Sequence, residues 1–300
     1  MIAASTYSRL NILTEFFAFL YLWGDAFTFL VLSAMGLAII FGMMGVINLA
    51  HGEFIMCGAY VTVLTSRLNL PLPLCMFCGA LAAGIIGVIL ERLIIRHLYH
   101  RLFDSIVATW AISLIVTQGT LIFAGPSIEG IKTPFGSFNI GGYSFSTYRV
   151  VLMAIAVLTL IALYLLFMKT KYGVRARATI QNPRMAQALG VDTWRIYSLT
   201  FGLGAALAGL AGALYAPTTT TVPTMGSAFI VQSFVTVVVG GANALVGTAP
   251  AAGILGIIQS WLGAAFGQTI GQIGLLVTVI LVVRLLPRGL SGVLSRGGNG

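Results

Sequence analysis

The chain has 300 residues, 58% of them hydrophobic and 8% charged, with a formal net charge of +9 and a mean hydropathy of +1.01. Soluble domains carry roughly a quarter charged residues, and no water-soluble fold hides this much apolar surface. The excess of base does not point to nucleic acid, because the lysines and arginines form no stripe interleaved with exposed aromatics.

Backbone in lipid must satisfy its own hydrogen bonds, so the spans are helices or a closed barrel. Barrel strands would alternate apolar and polar residues, whereas the apolar runs here are continuous. The sequence therefore predicts an all-α polytopic membrane protein, with residues 1–300 forming a single transmembrane domain. In chain order, 1–26 is an N-terminal segment in which Glu15 and Asp25 flank Phe16–Trp23. It has no basic start and no uninterrupted apolar core, which argues against a cleaved signal peptide. Apolar runs follow at 27–49, 53–66, 72–90, 104–124, 150–168, 198–216, 228–247, 250–266 and 270–286, giving eight or nine helices that cross or enter the membrane. The run 53–66 is short: at ~1.5 Å per residue it reaches only ~21 Å of a ~30 Å hydrocarbon core, so it is tilted, broken or re-entrant.

Basic loops on one face of a membrane must be separated by an even number of spans. Arg92, Arg96 and Arg101 form one such loop, and the stretch from Lys169 to Arg195 forms a second two spans later. Arg284, Arg288 and Arg296 follow after four more; together these hold twelve of the sixteen basic residues. Arg9, Arg67, Lys132 and Arg149 fall on the opposite face with Glu129. The positive-inside rule then places the C-terminus in the cytoplasm.

Small residues recur at helix-packing spacing in Ala205/Gly209, Ala208/Gly212, Gly263/Gly267 and Gly267/Gly271, which predicts close approach of helix backbones. Cys57, Cys75 and Cys78 lie in apolar stretches and lack the second ligand pair of a zinc site, so they are expected to be buried thiols. Gly45-x-x-Asn48-x-x-x-Gly52 and Gly240-x-x-Asn243-x-x-x-Gly247 share a spacing, each where an apolar run is interrupted. Matching interruptions in two halves suggest an internal two-fold repeat.

Two segments carry chemistry. The first, Gly42 to Phe54, sets Asn48, His51 and Glu53 in an otherwise apolar stretch. Ionisable groups at membrane depth need a partner or a water-filled cavity. Asn48 and His51, three apart, would share a helix face, and Gly52 permits close approach. These residues, with Asn243, line or support a solute path. The alternative is a short loop where Asn48 caps one helix and Glu53 sits at the positive start of the next. The second segment is the loop 169–197. Asn182 before Pro183 starts a helix of about seven residues and Gly190 ends it. A helix this short needs a surface to dock on. Met185, Ala188 and Leu189 supply an apolar face, Arg184 and Gln187 point elsewhere, and Asp192 caps the next helix. A cytosolic partner suits this face; the alternative is packing on the chain's own helix ends.

Gly36–Phe54, Glu91-Arg92, Tyr172–Ala178, Met185–Asp192, Leu199–Gly212 and Val238–Asn243 resemble the permease subunits of ABC importers for branched-chain amino acids, in the LivH group. The resemblance runs from about 30 to 290 in the family's order. It implies a second, LivM-like permease subunit, two cytosolic ABC ATPases and a periplasmic solute-binding protein, in the bacterial inner membrane. It also implies that the loop holding Arg184, Met185, Ala188, Leu189 and Gly190 couples to the ATPase. Two features depart from it: Gln259 stands where the family often has an acidic residue, and Phe229–Phe234 with Pro287-Arg288-Gly289 is similar to relatives that carry urea or short-chain amides. No phosphate loop occurs, so the chain is expected to be a transport subunit and not the ATPase, without cofactor. An intramembrane enzyme fails for want of a catalytic motif. A secondary transporter or channel would have only His51 and Glu53 as buried coupling groups.

Overall fold

The computed structural model describes residues 2–99, 101–241, 244–286 and 289–294. Helices α1 (Ile2–Met44), α2 (His51–Ser66), α3 (Leu72–Leu93), α4 (Leu102–Ala124) and α5 (Thr147–Lys169) are followed by two short ones, α6 (Lys171–Gln181) and α7 (Pro183–Ala188). Then come α8 (Thr193–Tyr215), α9 (Met225–Gly240), α10 (Ala244–Phe266), α11 (Gln268–Leu285) and α12 (Gly289–Leu294). Among the described residues seven helices are long and apolar enough to cross a membrane, and α9 is a shorter apolar one. With α2, each of the nine apolar runs in the sequence corresponds to a helix.

The centre of the bundle is α8. It packs against α1, α2 and α3, and its small residues make this possible. A Cβ on Gly212 would overlap Ile55 O of α2, one on Gly209 would overlap the Ala83 side chain of α3, and Gly204 faces Gly36 of α1. Without side chains between them the backbones approach to van der Waals contact, which replaces the hydrophobic drive that lipid cannot supply. Of the expected small-residue pairs, those of α8 pack in this way. Gly267 instead stands between α10 and α11 with φ +95, and Gly271 meets Gly263 across that turn.

Three boundaries differ from the sequence reading. Residues 1–26 are not a separate segment: α1 runs unbroken from Ile2 to Met44. Charge governs where a helix sits in the bilayer and not whether it forms, and Asp25 is held by Arg149 at 2.5 Å. The run 228–247 is divided at Gly241 (φ +83), and Pro250, read as a start, lies inside α10. Between α4 and α5 there is a hairpin of β1 (Ser137–Ile140) and β2 (Tyr143–Ser146) turned by Gly141 and Gly142, both at positive φ. A two-glycine loop of this kind matches the twist of paired strands. The hairpin grips α1: Phe145 is buried against Phe17 and Tyr21, and the Tyr21 hydroxyl donates to Ser146 O and accepts from Ser146 N.

Two of the three basic loops are brought together as the parity argument requires. Those at 92–101 and 169–195 meet at one end of the bundle, where Tyr99 stacks on Trp194. The next described basic residue, Arg284, follows four helices later near the end of α11; Arg288 and Arg296 lie outside the described residues. The hairpin is at the opposite end.

The helix contacts generate a test. Gly212→Ala should lower the thermal midpoint of the detergent-purified protein, since overpacking costs about 1–3 kcal/mol. Gly253→Ala, where an added Cβ meets nothing within 4 Å, should leave it unchanged. Equal midpoints for the two variants would contradict the packing role of Gly212.

Candidate functional site

Helix α1 ends beside Leu98 and Arg101, with Met44 and Val46 sharing a cavity with them. The chain then climbs back along α4: the Leu49 N–H donates to Thr109 Oγ1 (3.1 Å) and Ser113 Oγ donates to Glu53 Oε1 (2.8 Å). Thr109 lies two turns into α4, about 10 Å from that helix's start at 1.5 Å per residue. Helix α2 therefore begins about two turns in from the basic end of the bundle, and its sixteen residues run on toward the opposite end.

Non-helical backbone at this depth survives only where protein satisfies it. Asn48, His51 and Glu53 are all buried. Asn48 Oδ1 accepts from the Ala50 N–H (3.0 Å), and Asn48 O accepts from the His51 N–H (3.3 Å). His51 Nε2 donates to Ser33 O of α1 (3.0 Å), with its ring against Gly36. Asn48 and His51 do not share a helix face: Asn48 closes a turn in the 45–50 linker, and His51 opens α2. The cap is also not Asn48 but Ala50, without a side-chain bond. Glu53 does stand in the first turn of α2, where the helix dipole favours it, and Gly52 packs on the Gly226 backbone of α9. Asn243 lies outside the described residues. The first glycine–asparagine spacing coincides with the break at 45–50, and the second includes Gly241, which follows α9 at φ +83.

At the basic end, α6 turns back on α5 and leads to α7. Asn182 Oδ1 accepts from the Met185 N–H (3.0 Å), capping a helix of six residues. Gly190 ends it at φ +82, with its N–H bonded to Gln187 O and that of Val191 to Ala186 O. This paired closure is the one glycine permits after a helix. Ala186 is buried against the body of the protein, whereas Met185 is 57% and Leu189 78% exposed. Arg184, Ala188 and Gly190 are exposed too. The apolar face therefore has no partner among the described residues. Asp192 Oδ1 accepts from the Arg195 N–H, capping α8 as read from the sequence.

One group was quoted from the sequence only as part of a motif. Glu91, fully buried near the end of α3, accepts from Tyr99 (2.5 Å) and from Ser198 of α8, with Arg96 at 3.9 Å. The Arg96 guanidinium lies 5.2 Å from the Trp194 ring centroid. This cluster ties the first two turns of α8, which follows α7, to α3. The signal was available: Glu91 is the sole acidic residue in the 72–93 span.

A cavity of about 500 Å³ opens near the hairpin end, between α1, α5, α8, α9, α10 and α11. The Asp25–Arg149 ion pair and four glutamines line it, Gln232, Gln259, Gln268 and Gln272. His51 and Glu53 are not among its lining residues.

The model of the family described as branched-chain amino acid transport system / permease component matches residues 23–286. The chain is 31% identical to the probable branched-chain amino acid transport permease protein LivH of Methanocaldococcus jannaschii, over 88% of this chain and 89% of that protein. It is 26% identical to the high-affinity branched-chain amino acid transport system permease protein LivH of Escherichia coli, over 87% and 90%. The corresponding figures for BraD of Pseudomonas aeruginosa are 27%, 87% and 91%. No solved structure matches the chain. A bundle of apolar helices matched by that model along nearly its whole length belongs to the branched-chain amino acid permease family of ABC transport systems.

Proposed function

We propose that the chain carries branched-chain amino acids across the bacterial inner membrane as one permease subunit of an importer whose ATP hydrolysis is supplied by partner subunits. The observation that carries this reading is the exposed apolar face of α7. Its caps and the buried Ala186 hold it rigid, and Met185 and Leu189 project from the basic end of the bundle. A short helix so presented suits docking into a cytosolic ATPase, and the positive-inside rule supports the basic loops and the C-terminus on the same, cytoplasmic side. A LivM-like subunit completes the pathway, two ATPases drive it, and a periplasmic binding protein delivers solute at the hairpin end.

Asn48, His51 and Glu53 act, on this reading, as supports. They hold a broken chain together at membrane depth, where each unmet backbone group would be costly. Glu91, Tyr99 and Ser198 position the α7–α8 corner against α3, so that force on α7 reaches the bundle.

Leu189→Asp should leave the permease assembled with its partners but lower the solute moved per ATP hydrolysed in proteoliposomes several-fold. Unchanged coupling in that variant would remove the docking role. His51→Ala should reduce the amount of folded subunit and lower its stability by about 1–3 kcal/mol, the cost of stranding a buried partner. Uptake should fall only in proportion to folded protein. A fall in uptake with assembly intact would place His51 on the path itself.

A further inference from the structure

The cavity near the hairpin end has a composition that its role in packing does not require. Tyr215 and Ser260 are more than nine-tenths buried, yet Tyr215 OH and Ser260 Oγ have no hydrogen-bond partner among the described residues, and the same holds for Gln232 Oε1 and Gln259 Oε1. All four residues line this one cavity. A buried polar atom left unpaired costs about 1–3 kcal/mol, so a cluster of them around an open space is what a protein retains when something else supplies the bonds.

The charges narrow what that something is. Asp25 and Arg149 meet through one carboxylate oxygen and one guanidinium nitrogen. This leaves the second oxygen and the other guanidinium N–H groups for a guest. Arginine presents its donors in a fork that fits a carboxylate, and a carboxylate accepts from an ammonium. The pair therefore offers a positive and a negative pole side by side with no net charge, which suits neither a lone cation nor a lone anion. Leu22, Ala26 and Phe29 of α1 contribute an apolar wall to the same cavity.

We infer that this cavity holds the solute in transit and that it is built for a zwitterionic α-amino acid with a small aliphatic side chain. The α-carboxylate faces Arg149 and the ammonium faces Asp25, with the amide oxygens of Gln232 and Gln259 accepting further N–H groups. The side chain lies on the α1 wall. This assignment rests on the importer reading above and adds to it the place and the polarity of recognition. It also gives Gln259 a role: an amide accepts from the guest without adding a third charge beside Asp25 and Arg149.

The test uses the importer assembled in proteoliposomes with its partner subunits, with L-leucine and urea as probes. The double variant Asp25→Arg, Arg149→Asp keeps an ion pair but exchanges its poles, and co-purification with the partners reports whether it folds. Leucine uptake should fall about tenfold or more, as for loss of a charge-assisted contact, and Gln259→Leu should raise the KM for leucine. In an Ala264→Cys variant, saturating leucine should slow labelling of the introduced thiol by a methanethiosulfonate reagent, and urea should not. An assembled exchange variant that transports leucine at the wild-type rate overturns the inference while leaving the importer reading intact. So does protection by urea equal to that by leucine. Absence of ATP-dependent uptake of any solute by the wild-type assembly defeats the importer reading and this assignment with it.

Discussion

Backbone-to-backbone contact along α8 is the constraint from which the other features follow. A membrane helix gains nothing from leaving lipid for another apolar surface, so association depends on close packing. Gly204, Gly209 and Gly212 allow α1, α3 and α2 to touch the same helix on different faces. With three neighbours so near, the interior has no room for a loop of ordinary size. The α1–α2 connection passes as a thin strip of six residues, 45–50, that turns after Asn48, and its polar groups must be met by the few side chains within reach.

That requirement gives the buried polar residues their meaning. Asn48, His51 and Thr109 each serve a backbone atom of the strip or of α1, while Glu53 reaches Ser113 of α4. Helix α4 is otherwise exposed along most of its length, with Ser105 and Thr109 its buried residues. Polar hooks, more than apolar area, hold its inner face to the bundle.

Much of this was legible in the sequence because lipid enforces simple rules. Continuous apolar runs marked each membrane helix, and the parity of basic loops agreed with the observed ends of α3 and α8. Asn182, Pro183, Gly190 and Asp192 defined α7 and its neighbours through local capping chemistry. Features that depend on distant partners were not legible. Asp25 looked like a boundary because Arg149, which neutralises it, lies 124 residues away. The break at Gly241 was marked in the sequence only by the Gly240–Asn243–Gly247 spacing, since glycine adopts positive φ without any change in hydropathy. The hairpin at 137–146 is too short and too irregular in polarity to announce itself. The candidate cavity was least legible of all, because its lining comes from six helices and no two of its glutamines are adjacent in sequence.

Helix α5 runs from the cavity to the basic end of the bundle. Its first turn carries Arg149, at the cavity, and its last residue, Lys169, is joined through α6 to α7. At 1.5 Å per residue it is a rod of about 35 Å, stiff along its axis. The arginine that faces the cavity and the helix presented at the basic end thus lie on three successive helices, with extended residues only at Thr170 and Asn182 between them. The rigid element that connects the two ends is α5 itself, from Arg149 in its first turn to Lys169 at its last residue. Inserting one residue into α5 would turn one end relative to the other by about 100°, and so separate two sites whose local structures were both intact.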